Sequence, residues 1–246
     1  MIPKTIHYFW AGSDTMPENL RKYITSWQKF CPDYELRLWT PESFADNCPR
    51  WIRQAIDAKK YAFAADYARA YALYHFGGIY LDTDVEVIRP FDHLLHLPYA
   101  FGRESEGNAM ETGTFLSEKG NPMFKALLDY YDSRPFIKPD GTPDMLAIPR
   151  VIDNVTRGRF RIVDINSPEE FGPEPPDTTI YRLPKDFFSP IDLQTMKLTV
   201  TGNTVTIHHF VASWKPASFR FKKKIQRAIG PGLTLFIIKI KNIFRK

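Results

Sequence analysis

Two carboxylates two residues apart, Asp82 and Asp84, end the apolar run Ile79-Tyr80-Leu81. Hard oxygen ligands at that spacing suit a divalent cation, Mn²⁺ or Mg²⁺, held between the protein and a phosphate-bearing substrate. Asp-x-Asp also occurs in plain solvated turns. Here it is the chain's only such pair, and ordered segments flank it on both sides. Asp66 and Arg69 form a second charged pair, three residues apart and therefore on one face of a helix. An acid and a base there can reach a hydroxylated or phosphorylated ligand carried by the next strand. A third group, His208, His209, Ser213 and Trp214, lies far along the chain. An imidazole or the Ser213 oxygen completes a metal shell, and the Trp214 indole N–H donates to a diphosphate oxygen. On a continuing strand the two histidines face opposite ways. His209, nearer the loop, is expected to be the one that faces the acidic pair.

Regular elements must hold these groups. Tyr61 to Phe76 reads as an alanine-rich helix closed by Gly77 in a left-handed conformation. Ile79 to Leu81 has the composition of a strand buried on both faces, and Val85 to Ile88 resumes a strand pattern. Ligands in α/β folds collect at the carboxyl ends of strands, which is where Asp82 and Asp84 stand. Ile6 to Trp10, ended by Ala11-Gly12, reads as the first strand of a nucleotide-binding sheet, with His7 structural. Thr204 to His209 alternates as a strand. Asp140-Gly141-Thr142-Pro143 predicts a helix start, Thr142 as N-cap and Pro143 as first residue. Proline-rich Ser167 to Asp177 reads as a loop.

Four blocks taken in order, Ile2–Gly12, Ala65–Arg69, Gly77–Asp84 and His208–Trp214, resemble glycosyltransferase family 32, over residues 1 to about 216. The resemblance implies a GT-A type nucleotide-sugar-binding fold, α/β with a central mixed sheet flanked by helices. It also implies a nucleoside-diphosphate sugar donor, a divalent metal and retention of anomeric configuration. By the same resemblance the metal is held by Asp84 and Asp82 with His209 and Ser213. The donor is held by Phe9, Trp10, Asp66, Arg69, Asp82 and Trp214, and the catalytic set is Asp66, Arg69, Asp82 and Asp84. Trp10 stacks on the donor's base, by similarity to the related clostridial glucosylating toxins. The polar stretch Phe101 to Gly113 reads either as an ordinary surface loop or as one that offers Asn108 and Glu111 to sugar hydroxyls. The Gly-Thr-Pro order at 141–143 departs from the family's Thr-Gly-Pro.

Composition bounds the rest. A chain of 246 residues with 43% hydrophobic content can bury a full α/β core without disulfides. Cys31 and Cys48 match no metal spacing and suit a reducing cytosol. The first strand begins almost at once, so no signal peptide is expected. The net charge of +5 is unevenly spread: nine Lys or Arg and no acid follow Phe219, so the remainder carries −4. Basic clusters around Leu233 to Ile240, with a hinge at Gly230-Pro231-Gly232, resemble an interfacial membrane anchor. The expected organisation is a catalytic domain over 1–216 and a basic, amphipathic membrane-associating tail over 217–246. The expected location is cytoplasmic, peripheral on the inner face of the cell membrane.

The reaction that the resemblance implies moves a sugar to a hydroxyl of a lipid-linked cell-surface glycan, such as a capsular polysaccharide. No familiar nucleic-acid-binding motif is present, so nucleic acid is not an expected partner. Ile79 to Val85 also resembles the aspartyl-phosphate loop of haloacid dehalogenase-like phosphatases, with Asp82 as nucleophile. Glu86, and the motif's distance from the N-terminus, oppose that alternative. A non-catalytic glycan- or membrane-binding protein is the third possibility.

Overall fold

The computed structural model describes residues 1–12, 15–46, 48–104 and 109–211, and, beyond these, 218, 221, 225, 226 and 228–236. In chain order the elements are β1 (Thr5–Phe9), α1 (Glu18–Phe30), β2 (Glu35–Trp39), α2 (Arg50–Asp57), α3 (Tyr61–Phe76), β3 (Gly78–Leu81) and β4 (Val85–Val87). There follow β5 (Tyr99–Gly102), β6 (Thr114–Ser117), α4 (Pro122–Asp132), α5 (Ile148–Thr156), β7 (Arg161–Asp164), β8 (Thr179–Leu183) and β9 (Thr206–His208). Among the described residues, seven strands form one sheet in the order β2-β1-β3-β6-β5-β8-β7. β6 runs antiparallel to both β3 and β5, while β1 pairs β2 and β3 in parallel and β8 pairs β5 and β7 in parallel. This is the mixed sheet flanked by helices that a GT-A type chain requires. Because β6 alone is reversed, the carboxyl ends of the other six strands and the amino end of β6 share one edge.

Helix α3 explains much of that edge. Its alanines let it pack against β1, β3, α2 and α4 at once, so its polar residues Asp66 and Arg69 are buried along with Phe63, Tyr67 and Leu73. A helix covered all round has no solvated face on which to leave a charge, so its ions must find partners inside. Gly77 closes it at φ +67°, its N–H on the Leu73 carbonyl. A Cβ there would stand 2.6 Å from the Lys119 nitrogen, and one on Gly78 (φ +102°) 2.6 Å from the Thr5 carbonyl oxygen. The double glycine is thus required twice over, by backbone angle and by close approach. It lets the chain turn directly from α3 into the middle of the sheet.

His7 is structural, as read from the sequence. Its Nδ1 accepts the Trp39 indole N–H at 3.2 Å and its Nε2 donates to the Gly77 carbonyl at 2.8 Å, an arrangement met by the neutral ring. Burial lowers its pKa to about 4.

One reading of the sequence is corrected here. Thr142 caps no helix: the Asp140 carboxylate accepts both its N–H (2.9 Å) and its hydroxyl (2.7 Å), closing a local turn, and the helix starts at Ile148. An aspartate two residues upstream competes for the same backbone donor that a helix start would leave free. The strand pattern read over Val85 to Ile88 is present as β4, Val85–Val87, beside the main sheet. β4 leaves it to pair β9 as a separate antiparallel ribbon, Val85 opposite His208. Helix α1 fastens that ribbon, the Trp27 indole N–H donating to the Val85 carbonyl at 2.8 Å and the Ser26 hydroxyl accepting the Val87 N–H at 3.0 Å.

Candidate active site

The chain between β3 and β4 is a tight turn. Val85 N–H donates to the Asp82 carbonyl at 3.0 Å, and Asp82 N–H to the Gly113 carbonyl at 2.9 Å. The turn holds both acids at the carboxyl end of β3, beside the end of β1 where Phe9 and Trp10 lie. Asp84 reaches the ribbon. Its Oδ2 accepts the Val211 N–H at 2.7 Å and its backbone carbonyl the His209 N–H at 3.0 Å.

Asp82, Asp84 and His208 bring one ligand atom each within 4.8 Å of one another. His208, not His209, faces the acidic pair. Its Nε2 stands 3.4 Å from Asp84 Oδ1, while the Nε2 of His209 bonds Glu86 at 2.8 Å and its ring stacks on Tyr23 at 4.6 Å. The expectation for His209 is thereby reversed, and the cause is register. Val85 opposes His208 across the ribbon, so the ring of residue 208 lies over the turn and that of 209 turns away. Ser213 and Trp214 lie outside the described residues, as does Asn108.

Arg69 ties the third side together. One guanidinium nitrogen reaches Asp66 Oδ1 at 3.1 Å and Asp82 Oδ1 at 3.0 Å, and the other donates to the Thr112 carbonyl. Its guanidinium also lies 4.9 Å from the centre of the Tyr80 ring. Asp66 and Arg69 are thus not a surface pair on a helix but the buried wall of the acidic site, 6% and 4% exposed. Phe9, 6% exposed, is part of the core. Trp10 is half-buried and lines a pocket of about 340 Å³ with Tyr8, Arg21, Ile24 and Leu38. Its ring lies over Gly12, where a Cβ would come within 2.4 Å of it.

The electrostatics are those of a site prepared for positive charge. Burial raises Asp66 to about 7 against the pull of Arg69, and raises Asp82 for the same reason. Burial pushes Asp84 up as well, but the His208 charge and the hydrogen bonds from His208 and Val211 outweigh it and hold the carboxyl below its ordinary value. Burial also works against a charge on His208, yet Glu111 and Asp84 together hold its pKa well above normal. Glu111 is not a loop residue available to ligands. It is 1% exposed and its Oε1 lies 2.8 Å from His208 Nδ1. Sequence reasoning placed it at the site for the wrong task, because nothing in residues 101–113 announces a partner 97 positions away. Two carboxylate oxygens and an imidazole nitrogen are a donor set that fits Mn²⁺ or Mg²⁺.

A wider pocket of about 560 Å³ opens at the ends of β5 and β8, on the same sheet edge. Arg103, Lys185, Lys197, Asp186, Asp192 and Thr195 are among its lining residues. Its two walls lead back to the acidic site, one through the Arg103–Met110 bridge to Glu111 and one through Thr201 to β9.

Residues 17–99 match the family model described as a glycosyltransferase sugar-binding region containing a DXD motif. The chain is 38% identical over 130 residues to inositol phosphoceramide mannosyltransferase 3 of Schizosaccharomyces pombe, covering 49% of this chain and 35% of that protein. It is 33% identical over 144 residues to mannosyl phosphorylinositol ceramide synthase SUR1 of Saccharomyces cerevisiae, covering 56% and 37%. It therefore spans little more than a third of the length of these curated relatives. A solved chain titled PaToxG glycosyltransferase superposes on 63% of this chain and 69% of its own, with a TM-score of 0.44 and 21% identity.

Proposed function

From the premise that residues 17–99 are the DXD-bearing region of a glycosyltransferase-32-like chain, we propose that this protein moves a sugar from a nucleoside diphosphate to a hydroxyl of a lipid-linked acceptor, with retention. The observation that carries the reading is the convergence of Asp82, Asp84 and His208 beside the buried Asp66–Arg69 pair. Asp82, Asp84 and His208 would hold the cation, with Ser213 as a further oxygen ligand. When bound, a divalent ion neutralises charge that builds on the departing diphosphate. The imidazole in the donor set favours Mn²⁺ over Mg²⁺.

The chain's own residues supply position. Arg69 is fixed by Asp66, Asp82 and the Thr112 carbonyl, so its guanidinium and the Asp66 carboxylate present a rigid pair to the donor sugar's hydroxyls. Trp10 offers a flat aromatic surface beside the sheet edge for the base, and Trp214 a donor for the diphosphate. The pocket lined by Arg103, Lys185 and Lys197 suits an acceptor whose hydroxyl neighbours a phosphate, with Asp186 and Asp192 accepting from its other hydroxyls. The names of the two yeast mannosyltransferase relatives, which refer to phosphoinositol ceramides, support an acceptor of that chemistry and mannose as the first sugar to test.

A membrane role for the tail belongs to the same reading. Among the described residues no helix is long and apolar enough to cross a membrane. Phe221, Ile225, Leu233, Leu235 and Phe236 are 43–65% exposed, an apolar surface between basic clusters. We place the enzyme on the cytoplasmic face, where anionic lipid would attract those charges. The comparisons do not favour a phosphatase with Asp82 as nucleophile.

A panel of nucleoside-diphosphate sugars with Mn²⁺, scored by thermal stabilisation and donor hydrolysis, tests the proposal. A true donor at a hundredfold excess over its Kd stabilises by about 2.7 kcal/mol. If no nucleotide sugar stabilises or turns over, while a simple phosphate ester is hydrolysed, the glycosyltransferase reading is wrong.

A further inference from the structure

The segment Glu111-Thr112-Gly113 touches the acidic site with each of its three residues. The Thr112 carbonyl accepts from Arg69, and the Gly113 carbonyl accepts the Asp82 N–H at 2.9 Å. The Glu111 Oε1 meets two partners, the Gly113 N–H at 2.6 Å and Nδ1 of His208 at 2.8 Å. A Cβ on Gly113 would stand 2.7 Å from His208 Nδ1 and 2.9 Å from Glu111 Oε1, so a side chain at 113 would wedge the ring and the carboxylate apart. Glycine at this position lets them meet.

A carboxylate 1% exposed, with a histidine ring as its side-chain partner, is costly to keep for packing alone. Both nitrogens of His208 are engaged, but differently. Nδ1 makes the short contact to Glu111, while Nε2 points at Asp84 from 3.4 Å, close enough to share a ligand with it. A ring whose Nδ1 carries the proton presents the Nε2 lone pair to the acidic pair. A carboxylate behind a ligating imidazole fixes its tautomer and raises its basicity.

We propose that Glu111 is a positioning residue: by accepting the Nδ1–H of His208 it aims Nε2 at Asp82 and Asp84 and sets the site's affinity for a divalent cation. This rests on the reading of Asp82, Asp84 and His208 as the cation's ligands. It replaces the expectation that Glu111 meets sugar hydroxyls, which its burial prevents. It also accounts for Gly113, which neither the metal nor the donor requires directly.

The test titrates the full chain with Mn²⁺ alone, followed by electron paramagnetic resonance, in wild type, Glu111→Gln and Glu111→Leu. Leucine fills the space without an acceptor, so Mn²⁺ affinity falls roughly 10- to 100-fold. Glutamine keeps an oxygen for both donors but not the charge, so its affinity lies between. With Mg²⁺ in place of the paramagnetic ion, ¹⁵N spectra of histidine-labelled protein report the tautomer directly. Wild-type His208 is protonated on Nδ1, and Glu111→Leu loses that preference. A merely structural Glu111 would lower the melting temperature in chelator yet leave the affinity and tautomer of folded protein unchanged, which overturns the proposal. If Glu111→Leu does not fold, Glu111→Gln carries the test, and wild-type Mn²⁺ affinity in it overturns the proposal equally. A folded wild type that binds no Mn²⁺ overturns the metal reading itself, an outcome distinct from equal binding by all three proteins.

Discussion

Asp84 is joined to the end of β9 twice, to His208 through side chains and to His209 through backbone. Nε2 of His208 lies 3.4 Å from Asp84 Oδ1, and the next N–H in the chain, that of His209, donates to the Asp84 carbonyl at 3.0 Å. The acidic turn after β3 and the end of β9 are therefore fastened to each other, although 124 positions separate Asp84 from His208 in the sequence. A ligand that draws on both meets a preformed site and loses little to reordering.

The two adjacent histidines separate metal from scaffold. His208→Gln should weaken Mn²⁺ binding and lower turnover at limiting metal. His209→Gln should leave Mn²⁺ affinity near wild type, because that ring bonds Glu86 and stacks on Tyr23. Its loss should instead cost stability, about 0.5–1.5 kcal/mol for the hydrogen bond and a similar amount for the stack. Metal titration and urea unfolding of both variants decide it. Equal loss of metal affinity in the two would remove His208 from its assigned place.

Asp84→Asn should abolish turnover while leaving the fold in place. The amide oxygen still accepts from Val211 N–H, so the strand end stays fastened, but the charge that would bind a cation is gone. Donor hydrolysis is the assay, with excess chelator on wild type as its parallel. Activity that survives either treatment rules out a metal-assisted departure of the diphosphate.

Arg69→Lys tests a pair more deeply embedded than its spacing suggested. A lysine ammonium cannot span Asp66, Asp82 and the Thr112 carbonyl as one planar guanidinium does. Leaving a buried carboxylate uncompensated costs about 3–5 kcal/mol. The variant should therefore lose both kcat and stability. If urea unfolding gives wild-type stability, the buried network contributes little to the fold.

The elements of the site were legible where local chemistry sets them. The span Tyr61–Phe76 follows from alanine content and the terminal Gly77, and the strand before Asp82 from three apolar residues after a double glycine. What the sequence could not convey is what crosses between elements. His208 over His209 depends on the register of β4 against β9, and the task of Glu111 depends on that same ribbon folding back over β6. Thr142 was misread because a helix start and an Asx turn share the same residue types, and only the direction of the Asp140 carboxylate tells them apart.

The pH dependence of stability should carry the signature of Asp66. Unfolded, this carboxyl loses its proton near its ordinary value of 3.8; folded, burial holds the proton to about 7. Between those values the native state binds more protons than the unfolded one, so stability falls as pH rises through that window. Asp66→Asn removes the titration, and the wild type should lose stability relative to it from about pH 4 to about pH 7. Urea unfolding in chelator at intervals across that range measures the difference. A constant gap would mean that Arg69 keeps Asp66 ionised throughout, against the dominance of burial.

The tail gives the prediction that bears on location. Nine basic residues after Phe219 supply attraction to an anionic surface of roughly 1 kcal/mol for each that comes near it, and the exposed Phe221, Leu233, Leu235 and Phe236 supply apolar area. Residues 228–236 are helical throughout, with Gly230 at φ +75° and Pro231 inside the run, at the place where the sequence predicts a hinge. The Gln226 side-chain amide ties this segment to the domain by donating to the Gln194 carbonyl at 3.2 Å. A chain ending at Pro216 should fold and keep donor hydrolysis, yet lose most of its co-sedimentation with phosphatidylserine vesicles. High salt should weaken the full-length chain's binding only in part, because apolar burial is not screened. Vesicle binding unchanged by truncation would sink the membrane role, and a truncated chain that no longer folds would show the tail to be part of the domain.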